Sequence, residues 1–137
     1  MFESVVSQYT NKMEELLERP KLSFSGASSK NVSREPGVYA IYDERLEKII
    51  YVGRTRNLRR RLLGDHRRGN IEGSQFRKAL GNNLKLKPET EITEYILKNC
   101  SFQFMVVKSS EEMVRLEHFS TAVLAPLLNV RLNGESE

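Results

Sequence analysis

Two tyrosines, an arginine and a glutamate are the side chains of this sequence best suited to chemistry on a phosphate ester. Tyr39 and Tyr51 lie in the short runs GVYAIY and KIIYV, Arg61 lies in a basic stretch, and Glu117 lies far downstream in RLEHF. Attack on a phosphodiester concentrates negative charge on the phosphoryl oxygens, so a divalent metal, an arginine and a water-activating group form a minimal catalytic set. These residue types could supply or bind each member of that set.

Glu117 is placed unusually for a carboxylate. Ser109 or Ser110 is expected to cap a helix that extends to about Leu124. Met113 lies four residues before Glu117 and on the same helical stripe. A carboxylate on an otherwise apolar stripe is costly unless it is paired or bound to a metal. The open alternatives for Glu117 are therefore a metal site and an ion pair with a nearby arginine.

The basic residues are concentrated in one segment. Residues 54–68 contain seven arginines and one acid, Asp65, so their local charge exceeds the +4 of the whole chain. Local cations release condensed counterions from a phosphate backbone whatever the overall charge, and the planar arginine fork suits bidentate phosphate contacts. A solvated helix face is the alternative explanation for such a run. We expect a nucleic-acid interface in this segment.

The two tyrosines are expected to be positioned by an antiparallel hairpin. Residues 37–42 and 48–52 are short β-branched and aromatic runs, separated by the charged segment DERLE. Side chains on adjacent strands approach within contact distance, so Tyr39 and Tyr51 should lie close together. Residues 102–107 (FQFMVV) predict a third strand.

Helical patterns surround these strands. Apolar residues spaced by three and four predict an amphipathic helix over residues 2–19, ended by Pro20, and a Ser-rich segment to residue 35 predicts a connecting loop. Further helices are predicted from Asn57, over residues 75–80 before a break at Gly81, and from Pro88 to about Cys100.

The order and spacing of the candidate residues resemble the GIY-YIG endonuclease family. Gly37-Val38-Tyr39 matches the first half-motif and Tyr51-Val52-Gly53 the second, Arg61 follows Tyr51 by ten residues, and Glu117 and Asn129 come later. The match covers about residues 36–130, and its order and spacing are more specific than either tripeptide alone. It implies an α/β fold with a three-stranded antiparallel sheet flanked by helices, to which this chain adds an N-terminal helix.

The resemblance also implies a role for each side chain. Glu117 would hold one divalent metal ion, most often Mg²⁺ with Mn²⁺ as a possible substitute, and Arg61 would stabilise the charge on the scissile phosphate. One of Tyr39 and Tyr51 would activate the attacking water and the other would orient it. Arg54 stands where many members have a lysine and could hold a phenolate or a phosphate. The predicted substrate-binding residues are Arg54, Arg56, Arg60 and Asn129.

Tyrosine has an ordinary pKa near 10, so a tyrosine base at neutral pH needs a nearby cation. The rate should then rise with pH.

Two candidates keep alternative roles. His66 follows Arg61 by five residues, whereas relatives often place a histidine four after the arginine, so it could assist proton transfer or cap the helix C-terminus. Asn129 could contact the phosphate or tie down the chain end. His118 should point about 100° away from Glu117 on a helix, so we expect it to be structural.

The length of 137 residues suits one domain. We predict an N-terminal helix and connecting loop over 1–35, a nuclease domain over 36–130 and a flexible tail over 131–137. The predicted function is a metal-dependent endonuclease acting on nucleic acid, with DNA favoured over RNA. The alternatives are a catalytically inactive nucleic-acid-binding module and a subunit of a larger nuclease complex. The N-terminal helix could bind a protein partner or a second copy of the chain.

The compartment is predicted from what the sequence contains. No apolar run approaches the roughly 20 residues that span a bilayer, and the N-terminus lacks the order of a secretory signal. The single cysteine, Cys100, cannot form an internal disulfide. We expect a cytoplasmic protein without membrane association.

Overall fold

A four-stranded antiparallel sheet organises the chain in the computed structural model, which describes residues 1–129. The strands are β1 (Leu22–Ser23), β2 (Gly37–Asp43), β3 (Lys48–Thr55) and β4 (Cys100–Val106), in the order β1-β4-β2-β3. The helices are α1 (Glu3–Leu17), α2 (Gln75–Leu84), α3 (Glu89–Asn99) and α4 (Ser110–Leu124), with a π-helical segment, Arg60–His66, between β3 and α2.

The predicted α/β fold and its three main strands are confirmed. The fourth strand, β1, is a two-residue addition in the segment predicted to be loop, where Leu22 pairs with Phe102 of β4. Residues 130–137, which include the predicted flexible tail 131–137, lie outside the described part of the chain. None of the helices within residues 1–129 is long and apolar enough to cross a lipid bilayer.

The hairpin formed by β2 and β3 brings the two tyrosines onto one face of the sheet. Tyr39 pairs with Gly53 and Ile41 pairs with Tyr51, and a bulge follows because Tyr42 pairs with Ile49. The bulge leaves residue 50 as an extra residue on β3. Because Tyr51 is opposite Ile41, and Ile41 shares a face of the sheet with Tyr39, the two tyrosines pack in the same hydrophobic cluster.

The sheet separates two hydrophobic cores. One face packs against the segment that follows β3 and against α2 and α3, through residues such as Leu62, Phe76 and Ile96. The other face packs against α1 and α4, through residues such as Leu16 and Leu116. The alternation of side chains along β2 supplies both cores, because successive residues of a strand point to opposite faces.

One predicted helix boundary was wrong. The helix predicted over residues 75–80 continues to Leu84 and passes through Gly81 without a break. A β-carbon at Gly81 would lie 3.0 Å from Ile92 Cδ1, so this glycine allows α2 and α3 to pack closely instead of ending the helix. The helix predicted from Asn57 widens into the π-helical segment.

The outer edge of β3 is covered by the end of the described chain. The Leu128 amide donates to the Ile50 carbonyl at 2.8 Å. The Asn129 side chain accepts from the Val52 amide at 3.0 Å and donates to the Val52 carbonyl at 2.9 Å. These contacts satisfy backbone groups that an edge strand would otherwise expose.

Candidate active site

Tyr39 is buried at the centre of the site. Its Oη lies 2.7 Å from Nε2 of His66, within hydrogen-bonding distance, and only 2% of the residue is exposed. The phenol lies directly over Gly53, where a β-carbon would come within 2.4 Å of Oη. Gly53, in the second half-motif, must therefore be a glycine because the side chain of Tyr39, in the first half-motif, passes over it.

The π-helical segment explains the five-residue interval between Arg61 and His66. Hydrogen bonds in a π-helix join residues five apart, so five residues make about one turn, as about four do in an α-helix. His66 therefore returns to the side of the helix that faces the sheet. Its side chain contacts Tyr39 and Ser74 and lies away from the carbonyls of the helix end, so the structure shows no capping role for it.

Ser74 completes the surroundings of His66, and the sequence interpretation missed it. Ser74 Oγ lies 2.7 Å from His66 Nδ1 and also accepts the backbone N–H of Arg77 at 3.0 Å, so it caps α2. A serine directly before a predicted helix is a capping signal, so the sequence could have indicated Ser74 as a helix cap. Its contact with His66 could not be predicted in this way.

Tyr51 lies beside Tyr39. The two rings are stacked with centroids 6.4 Å apart, and the Tyr51 ring meets the His66 ring edge-on at 5.9 Å. Burial raises the pKa of Tyr51 to about 12. Arg61 lowers this pKa, but by less than burial raises it, and Glu117 raises it further. The same groups act on Tyr39, whose pKa is raised well above 10 chiefly by burial, next by Tyr51, while Arg61 lowers it.

Arg61 and Glu117 act in opposite directions on the pKa of each phenol. The expected lowering of the tyrosine pKa by a cation is present, but burial outweighs it. His66 shifts in the opposite direction, because burial, then Arg61, then Arg77 lower its pKa to about 3. The imidazole is consequently neutral at physiological pH.

Glu117 is held by an ion pair. Its side chain is 13% exposed, and Oε1 accepts from Arg54 Nη1 at 2.7 Å. The Thr121 hydroxyl lies 3.3 Å from Oε2. His118 was expected to point away, but its Nε2 lies 3.4 Å from Glu117 Oε1, so that expectation was wrong. Arg54 contacts this carboxylate rather than a tyrosine.

A groove of about 520 Å³ opens beside these residues. Arg61 reaches its wall, where Nε lies 3.5 Å from Asp65 Oδ2 and makes no hydrogen bond within residues 1–129. The groove also borders the first turns of α4, at Ser110 and Met113. Four arginines line it: Arg54, Arg56, Arg60 and Arg61. The predicted substrate-binding arginines thus face one concave surface.

Other arginines of the basic segment have a structural role. Arg59 donates to the carbonyls of Val32 and Ser29, both at 2.9 Å. Arg67 donates to the carbonyls of Phe24 and Ala27 at 3.0 and 2.8 Å. These hydrogen bonds hold the loop that follows β1 against the helical segment between β3 and α2. The basic segment therefore contains both arginines that line the groove and arginines that bind carbonyls of a loop, which its composition alone did not indicate.

Replacing Arg60 and Arg67 separately should distinguish these two roles. Arg60→Ala is expected to weaken nucleic-acid binding and to reduce the slope of log K against log salt by about 1, because one phosphate contact is lost. Arg67→Ala is expected to lower the free energy of unfolding by about 1–3 kcal/mol, because carbonyls lose their donor. Fluorescence anisotropy at several salt concentrations and urea unfolding measure the two effects. If the two variants had equal effects on nucleic-acid binding and equal effects on the free energy of unfolding, the arginines would not have these two separate roles.

Asn129 uses its side-chain amide to hold β3. Both the oxygen and the nitrogen contact the backbone of Val52, next to Tyr51. This arrangement corresponds to the second of the two predicted roles, tying down the chain end. A phosphate contact by Asn129 stays a prediction.

The sequence matches a known class of catalytic domain. The family model described as the GIY-YIG catalytic domain matches residues 21–137, so the chain belongs to the GIY-YIG family and is a nuclease domain of that type. Among curated proteins it is similar to UvrABC system protein C from two strains of Haemophilus influenzae, at 32% identity over 105 residues and 34% over 106, and from Histophilus somni at 30% over 105. The matches cover 77% of this chain but only 14% of each relative.

Proposed function

We propose that this domain is a metal-dependent endonuclease that hydrolyses phosphodiester bonds in DNA. The observation that carries the proposal is an arginine-lined groove with Arg54 and Arg61 in its wall. Arg54 holds the Glu117 carboxylate at 2.7 Å, and the stacked Tyr39 and Tyr51 rings lie behind it in the same domain. A nuclease of this family acts on nucleic acid, and the similarity to UvrABC system protein C favours DNA over RNA.

Glu117 is the proposed metal ligand. Residues 1–129 contain no group of three or more histidine, cysteine or acidic side chains arranged to hold a metal ion. A single carboxylate nevertheless fits Mg²⁺, which is often bound through one or two carboxylates together with waters and substrate phosphates. Oε2 is available for this role, since its contact with Thr121 is long at 3.3 Å. Bound Mg²⁺, or Mn²⁺ as a substitute, would supply Lewis-acid stabilisation of the phosphoryl oxygens.

The remaining residues divide the work of the hydrolysis. Tyr39 is the proposed general base, because its Oη is held by His66 and its deprotonated form could take a proton from the attacking water. Tyr51, stacked beside it, orients that water. Arg61 donates to the phosphate as negative charge develops, and its side chain, which is 37% exposed at the wall of the groove, is placed for this contact. Arg54, Arg56 and Arg60 bind the flanking backbone phosphates.

The rate should rise steeply with pH. A base acts in its deprotonated form, and burial holds the pKa of Tyr39 well above 10, so the phenolate fraction grows about tenfold per pH unit below that value. We expect kcat to follow this slope between about pH 6 and 9. Single-turnover rates over that range measure it, and Tyr39→Phe should remove the dependence along with most of the activity. A flat profile in the unaltered protein would contradict a tyrosine base.

A substrate panel tests the proposal as a whole. Labelled single-stranded, duplex and branched DNA and single-stranded RNA are incubated with the protein and Mg²⁺, Mn²⁺ or a chelator. We expect metal-dependent cleavage of at least one DNA substrate. Cleavage of RNA alone would overturn the choice of DNA. Salt-sensitive binding without cleavage of any substrate would favour the alternative, an inactive binding module.

A contact with another protein chain is the second part of the proposal. The inner face of α1 is buried through Tyr9, Met13 and Leu16, whereas Phe2 and Val5 are 75% and 52% exposed. Apolar residues exposed together at one end of a helix suit a protein interface. Light scattering distinguishes a homodimer from a monomer, and Phe2→Glu should dissociate a dimer formed through this surface.

A further inference from the structure

Arg54 occupies the carboxylate that is proposed to bind the metal. Arg54 Nη1 donates to Glu117 Oε1 at 2.7 Å, and the same oxygen lies 3.4 Å from His118 Nε2. The side chain of Glu117 is 13% exposed, whereas that of Arg54 is 41% exposed and also lines the arginine-rich groove. Arg54 is therefore within reach of two kinds of anion, the carboxylate of Glu117 and a phosphate in the groove.

This ion pair opposes metal binding at Glu117. A divalent cation on either oxygen of the carboxylate would be a close neighbour of the guanidinium, and like charges repel strongly at short range. Of the residues within 1–129 that line the groove, three further arginines (Arg56, Arg60 and Arg61) outnumber one acid, Asp65. In the same part of the chain, no cluster of acidic side chains is arranged to offset the repulsion. The site of the free protein is therefore positively charged and unfavourable for a metal cation.

A phosphate in the groove would remove this obstacle, because arginine binds phosphate through charge-assisted hydrogen bonds and the phosphate adds negative charge. We propose that Arg54 is an exchangeable counter-ion of Glu117, which releases the carboxylate when a DNA phosphate enters the groove, so that the substrate completes the metal site. This inference rests on the proposed function, since it takes Glu117 as the metal ligand and DNA as the occupant of the groove. The free protein then binds metal weakly, and DNA and metal each strengthen the binding of the other.

The metal affinity of the free protein tests the inference without any cleavage. Arg54→Gln removes the cation beside Glu117, so Mn²⁺ binding, followed by electron paramagnetic resonance of the unbound ion, should tighten by about tenfold or more. Arg54→Lys keeps the charge and should stay within about threefold of the unaltered protein. Arg56→Gln is the matched control, because it removes the same charge from the same groove but from a residue that has no ion pair with Glu117. It should also stay within about threefold, since salt screens the more distant charge.

The outcomes separate the role of Arg54 from the proposed metal ligand. Unchanged or weaker Mn²⁺ binding in Arg54→Gln, or an equal tightening in Arg56→Gln, would overturn the role of Arg54. Glu117→Gln added to Arg54→Gln should abolish the tighter binding. If the double variant binds Mn²⁺ as tightly as Arg54→Gln, the metal is not held by Glu117, and the proposed metal ligand is wrong as well. Circular dichroism confirms that each variant is folded.

Carbon-13 NMR tests the effect of DNA on the ion pair. The carboxylate signal of Glu117 is assigned with Glu117→Gln, and Arg54→Gln gives the reference position for a carboxylate that has lost this arginine. DNA is added without metal, so that it is not cleaved, and saturation should move the signal of the unaltered protein towards that reference. A signal that stays at its free position, although anisotropy shows that the DNA is bound, would overturn the exchange. A protein that binds none of the DNA substrates would overturn both this inference and the proposed function.

Discussion

Replacing Glu117 by glutamine should lower the cleavage rate by roughly 10³-fold while leaving DNA binding intact. Glutamine keeps the size of the side chain but removes the charge that is proposed to hold the metal. Binding should persist, or become slightly tighter, because the ion pair with Arg54 at 2.7 Å is lost and this arginine becomes free to contact phosphate. Cleavage is measured under single-turnover conditions with saturating Mg²⁺, and binding is measured by anisotropy without metal.

Glu111→Gln is the matched control for this change. Glu111 lies on the same helix, its side chain is 75% exposed, and within residues 1–129 its one ion pair is with Arg115, four residues later. Its replacement removes the same charge from α4 at a distance from the phenols and should leave the rate within about twofold, since exposed ion pairs contribute little. Retained cleavage in Glu117→Gln would reduce Glu117 to a structural ion pair. A tenfold or larger loss in Glu111→Gln would show that the charge of the helix, rather than Glu117, controls the rate.

Replacing Gly53 by alanine should damage the site without replacing any charged or titratable side chain. The new β-carbon would lie 2.4 Å from Tyr39 Oη and 2.6 Å from its Cζ, far inside contact distance. The phenol must move, and the hydrogen bond to His66 would be lost. We expect kcat to fall by about 10²-fold, the size of a general-base contribution, and the free energy of unfolding to fall by about 1–3 kcal/mol through overpacking.

Gly64→Ala provides the comparison for Gly53→Ala. A β-carbon at Gly64 meets nothing within 4 Å, and the residue lies in the π-helical segment. Alanine favours helical structure over glycine by about 0.5–1 kcal/mol, so this variant should be slightly more stable and equally active. Urea unfolding and single-turnover rates are measured for both variants. An active Gly53→Ala protein would mean that the Tyr39 phenol can do its work from another position.

The strands and the tyrosines could be predicted because their signals are local. Alternating β-branched and aromatic residues define β2 and β3, and the pairing of Tyr39 beside Gly53 follows from a hairpin. The bulge at Ile50 and the two-residue strand β1 could not, since both depend on partners distant in the sequence. Helix ends failed at Gly81 for the same reason, because a glycine that allows packing looks in sequence like one that ends a helix.

The candidate site was predictable in its residue types but not in its contacts. Charge alone placed all the arginines in one interface, whereas Arg59 and Arg67 bind backbone carbonyls of a loop. Similarly, the pairing of Arg54 with Glu117 joins β3 to α4 across 63 positions of sequence. The role of Ser74 depends on where α2 begins in space, and no periodicity encodes that position.

The widened turn between Arg60 and His66 gives the fold a tolerance for changes in length. In a regular α-helix, one inserted residue rotates everything after it by about 100°, which would carry a following histidine off the sheet-facing side. A π turn takes up the additional residue locally, so the helix before it and the chain after it keep their directions. Deletion of that additional residue is therefore compatible with an unchanged phenol–imidazole contact, and the interval between arginine and histidine can be four or five residues without rebuilding the site.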